Sequence, residues 1–184
     1  MKKTACSIAV TLMSGLSGLT MAEEFRLVSH DIAHGEFMPK AQEFAGFGCD
    51  GGNQSPHLSW TGAPKGTESF AVFAYDPDAP TGSGWWHWQM VNIPKQVTEL
   101  PADAGSPAKK GGGEGSVAIR NDYGIEGFGG ACPPVGHGAH RYQFTVFALP
   151  QKLELPPNPS SALVGFLVNS QSLGSARIEA LYKR

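Results

Sequence analysis

ESFAVFAYDPDAPTGSGWWHWQMVNI, Glu68–Ile93, decides the fold. Phe70, Val72 and Ala74 alternate with Ala71, Phe73 and Tyr75, so both faces of this strand are apolar and both are expected to be buried. Trp86–Ile93 repeats the pattern, and Thr81-Gly82-Ser83-Gly84 between the two runs supplies a chain reversal. The reading is a long-looped hairpin whose rim brings Asp76 and His87 together. Pro77 and Pro80 bias the residues before them away from helical angles, so Asp76 is carried by a stiff, extended segment.

Working outward, Arg141–Leu149 alternates most cleanly, with Tyr142, Phe144 and Val146 on one face. Shorter strands are expected at Phe25–Ser29, His57–Trp60 and Ser175–Tyr182. One helix is expected near the C-terminus, capped by Asn158, with Pro159 in its first turn and a Leu163, Phe166, Leu167 stripe packed on the core. Residues 101–116 are polar and glycine-rich, which predicts a mobile surface loop. With 184 residues, 24 glycines, 14 prolines and 16% charged residues, the chain reads as one mainly β domain, a β-sandwich with one or two short helices.

Lys2 and Lys3 precede an apolar run that ends near Thr20-Met21-Ala22, as in a secretory signal of residues 1–22, leaving 23–184 as a single exported domain, periplasmic or secreted. Without the leader, twelve Lys and Arg face sixteen Asp and Glu, a formal charge of −4, which argues against broad binding of nucleic acid or anionic membranes. Two cysteines remain, Cys49 and Cys132, and in an exported chain an even pair reads as a disulfide.

A second cluster, GFGGACPPVGHGAHRY (Gly127–Tyr142), ends where the Arg141 strand begins. His140 and Tyr142 are two apart at the strand entrance and share a face, offering an imidazole and a phenol to an anionic oxygen. His30, His34, His57 and His137 read as surface or turn residues.

Asp76-Pro77-Asp78-Ala79-Pro80, Trp85-Trp86-His87-Trp88, Pro133-Pro134 and Gly138-Ala139-His140-Arg141-Tyr142 together resemble the phosphatidylethanolamine-binding protein family. They resemble most its bacterial Raf-kinase-inhibitor-like branch, in order and spacing, over nearly all of the chain after residue 22. The resemblance implies a Greek-key antiparallel sandwich with a small pocket for phosphate or a phosphorylated headgroup, and a homodimer. Carried over residue by residue, it implies a pocket of Asp76, Trp85, His87, Pro133, His140 and Tyr142, with Pro134 as further wall and Asp78 supporting the turn. Cys132 departs from the glycine that animal members have there, and suggests a lip pinned by Cys49. Those members also carry a C-terminal helix near the mouth, so with the chain stopping at Arg184 a more open mouth is expected and their kinase regulation does not transfer.

In such a pocket His87 and His140 would supply positive charge, Tyr142 would donate, and the indole and proline walls would exclude water. Asp76 helps an anion only by holding a histidine protonated or by donating a proton itself. Either route predicts tighter binding at mildly acidic pH. The expectation is a non-enzymatic binding protein without cofactor. Two alternatives are an inhibitor-like protein-interaction module acting through its surface and a metal-independent hydrolase in which Asp76 and a histidine activate water. No G-x-S-x-G elbow is present, His137 and His140 lack a third zinc ligand at a usual spacing, and Asp76-Pro77-Asp78 makes a poor calcium loop because of Pro80. Gly46–Gly51 matches a dinucleotide fingerprint literally, but Pro56 stands where its helix would run.

Overall fold

The computed structural model describes residues 23–109 and 111–184, so the expected signal of residues 1–22 lies outside the described residues. In chain order the strands are β1 (Arg26–Val28), β2 (Ala45–Gly46), β3 (Cys49–Asp50), β4 (Leu58–Thr61), β5 (Ser69–Asp76), β6 (Trp85–Pro94), β7 (Glu99–Leu100), β8 (Val117–Ala118), β9 (His140–Leu149) and β10 (Gly174–Tyr182). Among the described residues a single α-helix, α1 (Ser161–Gln171), precedes β10, and one 3-10 turn spans Lys40–Gln42.

All strand pairings are antiparallel. A five-stranded sheet runs β10-β9-β5-β6-β8, a three-stranded sheet runs β1-β4-β7, and β2 pairs with β3 alone. β5 and β6 form the expected hairpin, and β9 returns after a long excursion to lie on the other side of β5, a Greek-key relation.

Two apolar layers follow from the alternation in β5. Phe70, Val72 and Ala74 face the three-stranded sheet and pack with Leu27, Leu58, Trp60 and Leu100, together with Tyr142, Phe144 and Val146 of β9. Ala71 and Phe73 face the other way, against Phe147, Leu149, Val164 and Val168 under α1. β5 therefore has no solvent face, as its sequence requires.

Three local expectations are corrected. The helix is capped by Ser160, whose hydroxyl accepts from Leu163 N, while Asn158 lies two residues earlier with φ +50°. Its buried face is Ser161, Val164, Gly165 and Val168, with Leu167 half-buried against the same core as expected, while Leu163 and Phe166 are exposed; Gly165 lies tight against Trp86 of β6. Residues 101–109 and 111–116 are rich in turns, and Ala104, Gly105 and Gly112 are buried; Gly105 lies against Trp88 and Phe128 with no room for a side chain.

Cys49 and Cys132 are joined by the expected disulfide across 83 residues, which fastens the β2–β3 turn to the segment before the paired prolines. Among the described residues no helix is long and apolar enough to cross a membrane.

Candidate functional site

Register builds the site. Asp76 ends β5 opposite Trp85, which begins β6, and β9 lies on the far side of β5 with His140 and Tyr142 at its entrance. The turn between β5 and β6 is tied internally. Asp78 N donates to Asp76 Oδ1 (2.8 Å), Tyr75 OH donates to Ser83 O (2.7 Å) and Thr81 Oγ1 donates to Gly84 O (2.5 Å). Gly84 has φ +68°, and a β-carbon there would collide with the Tyr75 hydroxyl.

Asp76, Trp85, His87, Pro133, Pro134, His140 and Tyr142 converge on one cavity of about 170 Å³. Asp78 does not line it. Its carboxylate grips the Arg141 guanidinium at two points (2.7 and 2.9 Å) and accepts from Arg141 N (2.9 Å), binding the turn to β9. The guanidinium holds the Asp78 carboxyl below its usual range, with its partial burial opposing. Asp78 therefore supports the turn, the role that the resemblance implied for it, and lies outside the cavity lining.

Asp76 is 2% exposed, and its second oxygen, Oδ2, accepts from His140 Nδ1 at 2.7 Å. With Nδ1 of His140 donating to this oxygen, the ring's remaining polar atom is Nε2. That nitrogen meets His137 Nδ1 at 2.8 Å. His137 is exposed in a turn, as expected, and its Nδ1 contact couples it to the site. His57 is also buried, not superficial; its Nδ1 accepts from His30 N (3.2 Å) and it belongs to a strap far from the cavity in sequence.

His87 departs from its expected role. It is 3% exposed, and its Nδ1 faces two backbone carbonyls, Gly129 O at 2.7 Å and Gly130 O at 3.1 Å. Burial pushes its pKa below the ordinary value, against the raising effect of Gly129 O and the Asp76 charge. His87 is thus a neutral imidazole near pH 7, not a source of positive charge.

Tyr142 is buried, and burial together with the neighbouring Asp76 charge pushes its pKa far up, so the hydroxyl keeps its proton. The indole Nε1–H of Trp85 is itself shielded from solvent and has no hydrogen-bond partner.

Sequence reasoning missed Phe47 and Tyr123, which complete the wall. Tyr123 donates to Gly130 O (3.0 Å) and stacks on Phe44 at 4.0 Å. Phe47 was within reach of inference, since it lies two residues before a cysteine expected to bond at the pocket lip. The lip has a second fastening, with Arg184 donating to Pro133 O (2.8 Å) and Gly48 O (2.9 Å). Arg184 thus ties the lip segment to the β2–β3 turn.

A larger groove of about 500 Å³ runs beside β8, but its charged residues, Arg120 and Glu126, face each other at 3.7 Å and present no converging set of buried polar groups. Among the described residues no group of three or more His, Cys, Asp or Glu side chains is placed to hold a metal ion.

The sequence profile of the phosphatidylethanolamine-binding proteins matches residues 28–183. The chain is 49% identical over 177 residues to the UPF0098 protein YbcL of Escherichia coli K12, covering 96% of this chain and 97% of that one. It is 46% identical to YbhB of the same organism over 85% of this chain and 99% of that one. A relative from Mycobacterium tuberculosis H37Rv named as a lipoprotein, LppC, is 32% identical over 88% of this chain and 74% of its own length. The crystal structure of E. coli YbcL, described as a new member of the mammalian PEBP family, superposes with a TM-score of 0.85 and 52% identity over 88% of this chain and 99% of that one. The chain belongs to the phosphatidylethanolamine-binding protein family.

Proposed function

We propose that this is an exported, non-enzymatic binding protein whose rim cavity receives phosphate or a phosphorylated headgroup or peptide group. The observation that carries the reading is the convergence of Asp76, Trp85, His87, His140 and Tyr142, drawn from three adjacent strands, on one cavity of about 170 Å³. A phosphoryl group is small enough for that space. The Tyr142 phenol, which lines the cavity and keeps its proton, is a donor suited to its oxygens. The carboxylate of Asp76 is occupied by Asp78 N and His140 Nδ1, which reduces its repulsion of an anion.

Binding is favoured over hydrolysis because the neighbouring nucleophile candidates are engaged. Cys132 is in the disulfide and the Thr81 hydroxyl donates to Gly84 O. Export is supported by the leader-like residues 1–22 and by the lipoprotein name of the mycobacterial relative.

A second reading, docking of a protein partner by the outer surface, has its own observation. Phe47, which lines the cavity, and Val135, next in the chain to the cavity-lining Pro134, are 71% and 77% exposed. The test is a two-dimensional proton–nitrogen NMR titration with phosphate and phosphoethanolamine at pH 6 and pH 7.5. Shifts confined to Asp76, Trp85, His87, His140 and Tyr142 support the cavity reading; an unchanged spectrum at millimolar ligand removes it.

A further inference from the structure

The rim cavity uses one face of β5, β6 and β9, and the opposite face of the same strands carries a separate concavity. Alternation sends the chain neighbours of Asp76, His87 and Tyr142 to that side, namely Tyr75, Trp86 and Gln143. Register sets these three abreast, since Tyr75 pairs with Trp86 on one side of β5 and with Gln143 on the other. In the next row Thr145 pairs with Phe73 and with Arg177 of β10. α1 covers the half of this face around Ala71 and Leu149 and borders the rest with Gly165, Phe166 and Asn169. Two depressions of about 490 and 220 Å³ meet there and share Tyr75, Trp86 and Asn169.

The floor is aromatic and stiff. The Tyr75 and Trp86 rings lie 4.5 Å apart, and Phe73 backs Trp86 edge-on at 5.5 Å. Glycine weakens a helix interior, yet Gly165 stands in the middle of α1, where a β-carbon would lie only 3.2 Å from the Trp86 ring. Phe166, 67% exposed, stands at the edge. Cross-strand packing accounts for the Tyr75–Trp86 contact but not for the polar groups set around it.

Four of those groups are each anchored by one hydrogen bond and, among the described residues, keep a second group without a partner. Asp122 Oδ2 accepts from Trp86 N (2.7 Å), leaving Oδ1. Asn169 Nδ2 donates to Gly165 O (2.7 Å), leaving Oδ1. Gln143 Nε2 donates to Glu179 Oε2 (3.0 Å), leaving Oε1. Arg177 Nε donates to Thr145 Oγ1 (2.9 Å), leaving both terminal nitrogens. Three fixed acceptors and one forked donor beside aromatic rings suit a ligand that is rich in hydroxyls and has flat C–H faces. Asp122 disfavours an anion, and an apolar ligand would cover polar groups without matching them.

The geometry points to a carbohydrate site on this face. It takes a short neutral oligosaccharide whose pyranose rings lie on Tyr75 and Trp86 and whose hydroxyls bond Asp122, Asn169, Gln143 and Arg177. The thickness of the sheet separates it from the rim cavity, so it stands or falls independently of the phosphate reading.

The test is a proton–nitrogen NMR titration of the protein with cellotriose, maltotriose and triacetylchitotriose at millimolar concentration, with phosphate as a separate arm. At least one trisaccharide is expected to shift the Trp86 indole signal and the side-chain amides of Asn169 and Gln143, and phosphate is expected to leave the Asn169 amide in place. Arg177→Ala and Asn169→Ala, both at exposed positions, are expected to weaken that sugar by about three- to tenfold with the melting temperature nearly unchanged. No shift with any of the three sugars, shifts confined to other parts of the surface, or unchanged affinity in both variants overturns the inference and leaves the phosphate reading untouched. Movement of the Trp86 and Asn169 signals on dilution of the sugar-free protein also overturns it, because the face would then be a contact between copies of this chain.

Discussion

Asp76 Oδ2 accepts from His140 Nδ1 at 2.7 Å, across 64 residues of sequence and with both side chains buried. This contact closes the site, because it joins the end of β5 to the start of β9 inside the cavity wall. Removing one member of a buried pair strands the other. Asp76→Ala is therefore expected to cost about 3–5 kcal/mol of stability, read as a lower urea midpoint, whereas Asp76→Asn, which keeps an acceptor for Nδ1–H, is expected to cost clearly less. Equal losses for the two variants would mean that the charge, not the hydrogen bond, holds the rim.

Acid should weaken the fold through His87. Its folded pKa lies below the ordinary 6.5, so above that value both folded and unfolded states hold it neutral and nothing is lost. Below about 6.5 the unfolded chain takes up a proton that the native ring refuses, and stability falls by up to about 1.4 kcal/mol per pH unit until the folded pKa is reached. His87→Asn keeps an N–H for Gly129 O and lacks the titrating ring. The difference in urea midpoint between the two proteins is expected to change between pH 7.5 and pH 5; a constant difference would contradict the burial effect.

The disulfide should matter to both stability and ligand. Reduction, or Cys49→Ser with Cys132→Ser, is expected to cost about 2–4 kcal/mol for a loop of 83 residues, seen as a drop in melting temperature. Phe47 and Cys132 both line the cavity, so phosphate affinity is expected to fall as well. Unchanged affinity in the reduced, folded protein would show that Arg184 alone suffices to hold the lip.

Tyr142→Phe keeps the ring in the core and removes one donor. Phosphate affinity is expected to drop about three- to tenfold, measured by calorimetry, with the melting temperature nearly unchanged. An affinity equal to that of the parent would take Tyr142 out of the ligand set.

At Gly84 a side chain has nowhere to go, since its β-carbon would meet the Tyr75 hydroxyl and Asp76 O, and φ is +68°. Gly84→Ala is expected to destabilise by about 1–3 kcal/mol and to disturb the Asp76 resonance, whereas Gly82→Ala, with φ +82° but open space around it, should carry only the backbone strain.

The long strands were legible because their pattern reaches into two cores at once. Ala71 and Phe73 could not have been placed otherwise than opposite Phe70 and Val72. The two-residue strands β2, β3, β7 and β8 carry too few positions for any period to register. The helix was found, but its buried face was misread, because which side faces inward was set by Trp86 reaching across to Gly165, a contact between elements that no local pattern encodes. In the site, the identities of Asp76, His87, His140 and Tyr142 were readable, whereas their protonation roles were not. The neutral state of His87 depends on burial by elements distant in sequence, against two carbonyls more than forty positions downstream, and the engagement of His137 on a turn whose course only the folded chain defines.

The strand that ends in Asp76 is sheathed on both sides, whereas Phe47 of the cavity wall and Val135, beside the cavity-lining Pro134 in the chain, stand mostly in water. Such a receptor has a stiff floor and a soft mouth. The floor fixes the grip on the group that all its guests share, and the mouth can yield to whatever bulk trails behind, so changes in guest preference are open to the loops without disturbing the scaffold.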